Sequence, residues 1–236
     1  MILAIQIGEK TISAYELMIL LGSVGMLLYT LHRRKQIGFS PILCLLFATV
    51  LTLCGIAGAR LLYILENLDD LKNAVSGSGV SFFGSVYLIP LVMPLVGRML
   101  QLKGQVVLDL CAPCVAIMIS CIRIGCLLGG CCGGWVVYIG DIYFAWPTQI
   151  MESIGDFLIF LWLGKLHKQR NREGQLYPLL MIAYSVLRFF IEFLRYSTEK
   201  WLIFSAGHGF AVIAILAASL WLTIQKRKDQ TKQVIT

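Results

Sequence analysis

Residues 41–66, PILCLLFATVLTLCGIAGARLLYILE, form an apolar run with a single internal charge, Arg60. A helix rises about 1.5 Å per residue, so about twenty apolar residues cross a hydrocarbon layer about 30 Å thick. The run is therefore predicted to be a membrane-spanning helix.

Six further apolar blocks have about the same length. They occupy residues 14–31, 84–102, 105–125, 148–167, 175–195 and 205–224. Of the 236 residues, 58% are hydrophobic and 14% are charged, and the mean hydropathy is +0.80, which is typical of an integral membrane protein. We predict an all-α polytopic membrane protein with about seven transmembrane helices. It is expected to be one domain, 1–236, with an outward-facing loop rich in glycine and cysteine at about 126–147.

The positions of lysine and arginine predict the orientation, because cytoplasmic loops are enriched in both. Thirteen of the 20 basic residues follow the first, third, fifth and seventh blocks. They are Arg33, Arg34, Lys35, Arg98, Lys103, Lys165, Lys168, Arg170, Arg172, Lys226, Arg227, Lys228 and Lys232. Lys10, Lys72 and Lys200 lie in loops on the opposite side. The N-terminus is thus expected outside and the C-terminus inside. This topology explains the formal charge of +7 without a nucleic-acid partner.

Four arginines lie within apolar blocks or at their outer ends: Arg60, Arg123, Arg188 and Arg195. Each costs about 2.5–3.5 kcal/mol at the middle of a bilayer on insertion scales, so an interaction must offset it. In SVLRFFIEFLR, residues 185–195, the spacing places Arg188, Glu192 and Arg195 on one helical face. Two arginines around one glutamate suit an anionic ligand. The alternative is an ion pair that only lets the helix sit in the membrane.

A second polar cluster runs from RIGCLLGGCCGGW, residues 123–135, into WPTQIMES, residues 146–153. Its glycines, Gly134 among them, allow the backbone to turn sharply and to approach phosphate oxygens. Gln149 and Glu152 are spaced i, i+3 near the start of the fifth block, so both are expected to face the same space. The alternative is a plain flexible connection.

Small residues surround Arg60 in GIAGARLLY, residues 55–63. Gly58 is expected to permit close packing of two helices, and Gly84 to permit the backbone to approach a bound group. Both interpretations remain open at this stage.

These motifs together resemble the prolipoprotein diacylglyceryl transferase family along essentially the whole chain. The resemblance rests on seven membrane helices, the signature from Arg123 to Gly134, the PTQ segment before Glu152, and the R-x-x-x-E-x-x-R helix of residues 188–195. Tyr15 matches the tyrosine that opens the family's first helix. The resemblance implies a multi-pass protein of the bacterial plasma or inner membrane, with the active site toward the outer side.

The resemblance implies transfer of a diacylglyceryl group from phosphatidylglycerol to the thiol of a lipobox cysteine in the signal peptide of a prolipoprotein, with release of glycerol phosphate. A departing phosphate ester develops negative charge, which preorganised cations stabilise. Arg123 and Arg188 are assigned that catalytic role, and Glu192 is expected to orient an arginine or help move the thiol proton. The substrate-binding candidates are Tyr15, Gly58, Arg60, Gly84, Arg123, Gly134, Gln149, Glu152 and Arg195. No metal or soluble cofactor is expected.

The chain departs from the family pattern at four positions. Phe83 stands where members have histidine or tyrosine, and phenylalanine cannot act as a base. Cys126 replaces an asparagine, Cys131 a glutamate and Trp146 a histidine. These departures indicate a divergent member, or a transferase-like paralogue with another lipid or thiol substrate.

Three of the eight cysteines, Cys126, Cys131 and Cys132, are expected on the outer side, where they can pair or remain as redox-active or acylatable thiols. The competing interpretation is therefore a membrane thiol–disulfide oxidoreductase, for which the arginines would have no role. The three histidines are dispersed, so they predict no zinc site. His208 is a candidate for proton transfer.

Overall fold

The computed structural model describes residues 4–7, 10–77, 79–140, 142–169, 173–196 and 204–235. Arg170, Arg172 and Lys200, which entered the prediction of orientation, lie outside the described residues. The side chains of Lys228 and Lys232 lie outside them as well.

Helices form almost all of the described chain, as predicted. They are α1 (Ala14–Ile37), α2 (Pro41–Glu66), α3 (Leu71–Ser76), α4 (Phe82–Met99), α5 (Gly104–Leu128), α6 (Thr148–Gln169), α7 (Leu176–Leu194) and α8 (Ala206–Ile235). Two short antiparallel hairpins were not predicted. One pairs β1 (Ala4–Ile7) with β2 (Lys10–Ser13), and the other pairs β3 (Val136–Ile139) with β4 (Ile142–Ala145).

Six of these helices are long and apolar enough to cross a membrane: α1, α2, α4, α5, α7 and the part of α8 from Ala206 to Arg227. The all-α polytopic fold is therefore confirmed. The block at 148–167 does form a helix, α6, but it is not among the six. Its polar residues lower its hydropathy, and six of them are buried: Thr148, Gln149, Glu152, Ser153, Asp156 and His167.

Local signals in the sequence set the ends of the first two helices. Ser13 and Glu16 form a capping box at the start of α1, in which the Ser13 backbone amide donates to Glu16 Oε2 at 2.8 Å. Gly38 ends α1 at φ +81°, a conformation that glycine adopts without steric cost. Ser40 caps α2 and Pro41 occupies its first turn.

Helix α5 is the central helix of the bundle. It packs against α1, α4, α6 and α7, and residues such as Leu110, Ala112 and Ile119 are fully buried. The outer faces of the surrounding helices carry exposed leucines, for example Leu53 and Leu91, which are 61% and 69% exposed. A surface of this kind fits the hydrocarbon of a bilayer rather than water.

Gly58 of α2 and Gly84 of α4 face each other where these two helices cross. A methyl group added to Gly58 would lie 2.5 Å from the carbonyl oxygen of Gly84. Close contact between the two helices therefore requires small residues at both positions.

Arg60 holds the short segment between α2 and α4. Its guanidinium donates to the carbonyl oxygens of Gly79 at 2.5 Å, of Ala74 and Val75 at 2.8 Å each, and of Gly77. Most of its hydrogen-bonding capacity is therefore taken by the chain itself.

Near the N-terminal end of α5, the buried carboxylate of Asp109 holds the start of α7 in place. Asp109 is 1% exposed and accepts hydrogen bonds from the backbone amides of Gly174 and Leu176, at 2.6 and 2.9 Å. These amides have no partner within α7, so the carboxylate caps the helix and offsets its own burial.

Candidate active site

Three buried charged side chains meet where α5, α6 and α7 pack together. Glu152 of α6 lies between Arg123 of α5 and Arg188 of α7. Its Oε2 is 2.5 Å from Arg123 Nε, and its Oε1 accepts a hydrogen bond from Arg188 Nη1. All three side chains are 6–7% exposed, so each charge depends on the others for compensation.

Glu192 extends this network toward the ends of α7 and α8. Its Oε2 lies 2.6 Å from Arg188 Nη2, and its Oε1 accepts a hydrogen bond from the Ser205 hydroxyl at 2.8 Å. Ser205 Oγ in turn lies 3.2 Å from Nδ1 of His208. A methyl group on Gly207 would meet the Glu192 carboxylate at 2.9 Å, so the carboxylate abuts the first turn of α8, where a negative charge is favoured.

Arg195 joins the network from the residue that follows α7. Helix α7 ends at Leu194, and Arg195 caps it at φ −82°, ψ 138°. Arg188 and Arg195 both lie next to Glu192, at spacings i, i+4 and i, i+3. Arg195 Nη1 is 3.8 Å from Glu192 Oε2, so the three charges meet on one side of the helix, as predicted.

Helix α7 ends at Leu194 because the chain that follows it pairs with the backbone of the glycine loop. The Trp135 amide donates to the Leu194 carbonyl at 2.9 Å, and the Tyr196 amide donates to the Gly133 carbonyl at 3.2 Å. Gly134 forms a β-bridge with Arg195. A methyl group on Gly134 would lie 2.7 Å from the Leu194 carbonyl oxygen, so only glycine fits there.

The start of α6 holds the loop from the other side. Gln149 Nε2 donates to the Cys131 carbonyl at 2.7 Å, and Thr148 Oγ1 donates to the Cys132 carbonyl at 3.0 Å. Gln149 and Glu152 both lie on the buried face of α6. The segment is thus an ordered loop with specific anchors, and it begins at Gly129, because Cys126 still belongs to the last turn of α5.

An open pocket of about 420 Å³ lies beside the network. It is lined by Cys132, Gly133, Gly134, Val136, Arg195 and Tyr196. One cationic side chain and one thiol therefore border the same space as the glycine backbone.

The thiols of Cys126, Cys131 and Cys132 come together at this position, with their Sγ atoms within 4.8 Å of one another. None of the three is in a disulfide. A hydrogen bond from the Cys126 thiol, together with the positive charges of Arg123 and Arg188, lowers the pKa of the Cys132 thiol.

Tyr15 opens α1 close to the same group of residues. The Cα of Tyr15 would lie 3.2 Å from a methyl group on Gly125, so α1 begins in direct contact with the end of α5. Its phenol interacts electrostatically with Arg123 and with the three cysteines.

Sequence reasoning missed two buried polar residues beside the network, Asp156 and Tyr184. Both interact electrostatically with Arg123 and Arg188. Within the described part of the chain, the Asp156 carboxylate and the Tyr184 hydroxyl have no hydrogen-bond partner. The i, i+4 spacing of Glu152 and Asp156 in an apolar block was the available signal for Asp156. Nothing in the sequence marked Ser205 as a partner of Glu192.

Three predicted residues are occupied elsewhere in the fold. Gly58 and Gly84 contact each other, and Arg60 binds backbone carbonyls. Phe83 is buried against Tyr184 and Phe210, with ring centroids 5.7 Å apart in both pairs. Phe83 is therefore part of a cluster of packed aromatic rings next to the site.

Fold and site together define a multi-pass membrane protein with a buried arginine–glutamate network beside an open pocket. The family model described as "Prolipoprotein diacylglyceryl transferase" matches residues 2–224. The chain belongs to the prolipoprotein diacylglyceryl transferase family.

Individual relatives agree with this assignment. Phosphatidylglycerol–prolipoprotein diacylglyceryl transferase 2 of Clostridium perfringens is 32% identical over 93% of each chain. Phosphatidylglycerol–prolipoprotein diacylglyceryl transferases of Clostridium tetani and Finegoldia magna are 31% and 30% identical, over 78% and 75% of this chain and 81% and 76% of their own. The predicted resemblance and the predicted class, a transferase of lipoprotein biosynthesis, are confirmed.

Proposed function

We propose that this protein transfers the diacylglyceryl group of phosphatidylglycerol to the thiol of a lipobox cysteine in a prolipoprotein. The observation that carries the proposal is the buried network in which the guanidinium groups of Arg123, Arg188 and Arg195 share the carboxylates of Glu152 and Glu192. Three guanidinium groups meet at this network, and Arg195 also borders the adjoining pocket. Arginine binds phosphate oxygens through paired, charge-assisted hydrogen bonds, so a phosphate ester suits this site.

In the proposed reaction, the sulfur of the substrate cysteine attacks the glycerol carbon that carries the phosphate. A carbon–sulfur bond forms, the carbon–oxygen bond breaks, and its electron pair leaves on the phosphate oxygen of glycerol phosphate. Arg123 and Arg188 stabilise that developing charge. Cations fixed in a water-poor site contribute strongly, since removal of one preorganised donor typically slows turnover about 100- to 1,000-fold.

Glu152 and Glu192 act in this scheme by positioning the arginines. Glu152 fixes Arg123 and Arg188 relative to each other, and Glu192 holds Arg188 and approaches Arg195. Because each arginine is held by a buried carboxylate, little reorganisation is needed when the lipid phosphate arrives.

The pocket beside Arg195 receives the polar part of the substrates. Its glycine-lined wall at Gly133 and Gly134 permits close approach of a phosphate or a peptide backbone. The acyl chains remain in the bilayer, along the exposed apolar faces of the helices.

We place the site toward the outer side of a bacterial plasma membrane. In this arrangement α6 also crosses the membrane, which brings the number of crossings to seven. The face of α6 that points away from the bundle is apolar, and it carries the exposed residues Ile154, Leu158 and Leu161. The hairpin next to the site carries exposed Tyr138 and Tyr143, 76% and 73% exposed, which pair across the two strands. Tyrosines are enriched at membrane–water interfaces, which supports a site close to the interface.

Thiol–disulfide exchange remains a second candidate because the three thiols lie within 4.8 Å of one another. The membership of the chain in the transferase family supports transfer over exchange. One experiment separates the two functions: purified protein in detergent is mixed with phosphatidylglycerol and a lipobox peptide, and the products are analysed by mass spectrometry. We expect a thioether product and an equal amount of glycerol phosphate, neither of which forms with a peptide in which serine replaces the cysteine. A mixed disulfide without thioether would contradict the proposal.

A further inference from the structure

Cys126, Cys131 and Cys132 form a compact group of three thiols that the transfer scheme does not use. Their Sγ atoms lie within 4.8 Å of one another. Cys126 is buried, Cys132 is half-buried and Cys131 is exposed, so the group has one side in the protein and one side accessible.

The backbone adopts an unusual conformation to bring these thiols together. Cys132 has φ +63°, and Gly130 two residues earlier has φ +68°. A non-glycine residue rarely occupies this region, because its Cβ crowds the backbone there. The turn also closes on itself, since the Cys131 amide donates to the Cys126 carbonyl at 3.0 Å.

The group is supported from outside by hydrogen bonds from α6. Gln149 donates a hydrogen bond to the Cys131 carbonyl, and Thr148 donates one to the Cys132 carbonyl. Supporting contacts of this kind orient ligands in metal centres. The backbone that carries Cys131 and Cys132 is thus held in place before any ligand binds.

Three thiols at this separation match the needs of a thiophilic cation. Zinc binds thiolate sulfur at about 2.3 Å in a tetrahedron, which requires sulfur atoms about 3.8 Å apart. Side-chain shifts of about 1 Å bring the three Sγ atoms to that separation. Three protein ligands and one open position are the arrangement of catalytic zinc sites, whereas structural sites have four protein ligands.

We propose that Cys126, Cys131 and Cys132 bind one thiophilic divalent cation, zinc in particular, and leave a fourth coordination position open. Cys132 borders the pocket that also contains Arg195, so the open position faces the space available to substrates. Three thiolates and a divalent cation carry a net charge of −1, which the nearby positive charges of Arg123 and Arg188 favour. The dispersed histidines gave no hint of such a site, because none of its ligands is a histidine.

The open position has a specific use, which rests on the proposed transfer function. The substrate thiol takes the fourth position and gives up its proton to solvent, so that a metal-bound thiolate attacks the glycerol carbon. The carbon–sulfur bond forms and the carbon–oxygen electron pair leaves with glycerol phosphate, which takes up the released proton. The cation thereby activates the thiol, a role that Phe83 cannot perform.

The test uses the full-length protein, reduced and freed of metal by a chelator under anaerobic conditions, in detergent. Cobalt(II) is titrated in, and the sulfur-to-cobalt charge-transfer absorption is recorded. We expect one cobalt per chain, displaced by zinc, and loss of the band in Cys132→Ser and in the triple serine variant. Cys121→Ser, which changes a half-buried cysteine elsewhere on α5, serves as the matched control and should keep the band.

Each result has a defined meaning. Absence of the band from the folded wild-type protein, its persistence in the triple variant, or a native disulfide among the three cysteines would overturn the site. A lipobox peptide should shift the visible spectrum of the cobalt form, whereas its serine analogue should not, and equal spectra would overturn the role of the open position. These readouts need no turnover, so cobalt binding without any thioether formation would refute the transfer function and leave the metal site standing.

Discussion

Arg123 Nε lies 2.5 Å from Oε2 of Glu152, within a bundle where both side chains are 6–7% exposed. The same carboxylate accepts a hydrogen bond from Arg188, so a single acid of α6 joins α5 to α7. Removing one partner of a buried ion pair leaves an uncompensated charge, which is far more costly than the pair itself is stabilising.

The first prediction concerns Glu152. Glu152→Gln keeps the shape of the side chain but removes the charge shared by two arginines, so we expect a loss of about 3 kcal/mol in stability and loss of transfer. Thermal unfolding in detergent and the rate of thioether formation measure the two effects. Glu173→Gln is the control, because the ion pair of Glu173 with Lys103 lies on the surface, where such pairs contribute little to stability. Equal effects of the two variants would refute the bridging role of Glu152.

The second prediction distinguishes geometry from charge at Arg188. Its Nη1 binds Glu152 and its Nη2 binds Glu192, which a single lysine ammonium cannot reproduce. Arg188→Lys should therefore slow transfer about 100-fold or more, although the charge is conserved. If the lysine variant turned over at the wild-type rate, the network would supply charge alone.

The third prediction concerns the contact between α2 and α4. Gly58→Ala should lower the free energy of unfolding by about 1–3 kcal/mol, because the new methyl group meets the Gly84 backbone. Gly55→Ala, one turn earlier on α2, places its methyl 3.9 Å from the nearest atom, Ser85 Oγ, and should be tolerated. Melting temperatures of the two variants test this, and equal values would argue against close packing at Gly58.

The fourth prediction separates a structural Arg60 from one that binds lipid. Arg60→Ala removes hydrogen bonds to four carbonyls, so amide hydrogen exchange should accelerate in α3 and the residues just after it. Lys72→Ala, an exposed change on α3, should leave exchange there as it is. Slower transfer without faster exchange would instead favour headgroup binding by Arg60.

The apolar helices could be predicted from the sequence because hydropathy and helix length are local properties. Helix α2 occupies the predicted span, Pro41–Glu66. Helix α6 also forms where expected, but its hydropathy is reduced by polar residues whose partners lie on other helices. Glu152 is the example, because its two arginine partners, Arg123 and Arg188, lie on other helices.

Features that depend on backbone pairing could not be read from residue types. Arg195 leaves its helix because the adjoining chain pairs with Gly133 and Trp135, and Arg60 binds carbonyl groups, which have no sequence signature. The meeting of Cys126 with Cys132 depends on the positive φ of Cys132, a conformation that cysteine itself does not favour.

The most direct test of the central claim is the rate at which labelled diacylglyceryl passes from phosphatidylglycerol to a lipobox peptide. Wild-type protein and Arg98→Ala, which alters an exposed arginine at the end of α4, should form thioether at the same rate. Arg188→Ala should be slower by about 100-fold or more while remaining folded in detergent. Equal rates in a folded Arg188→Ala protein, or no thioether from the folded wild type, would contradict the account.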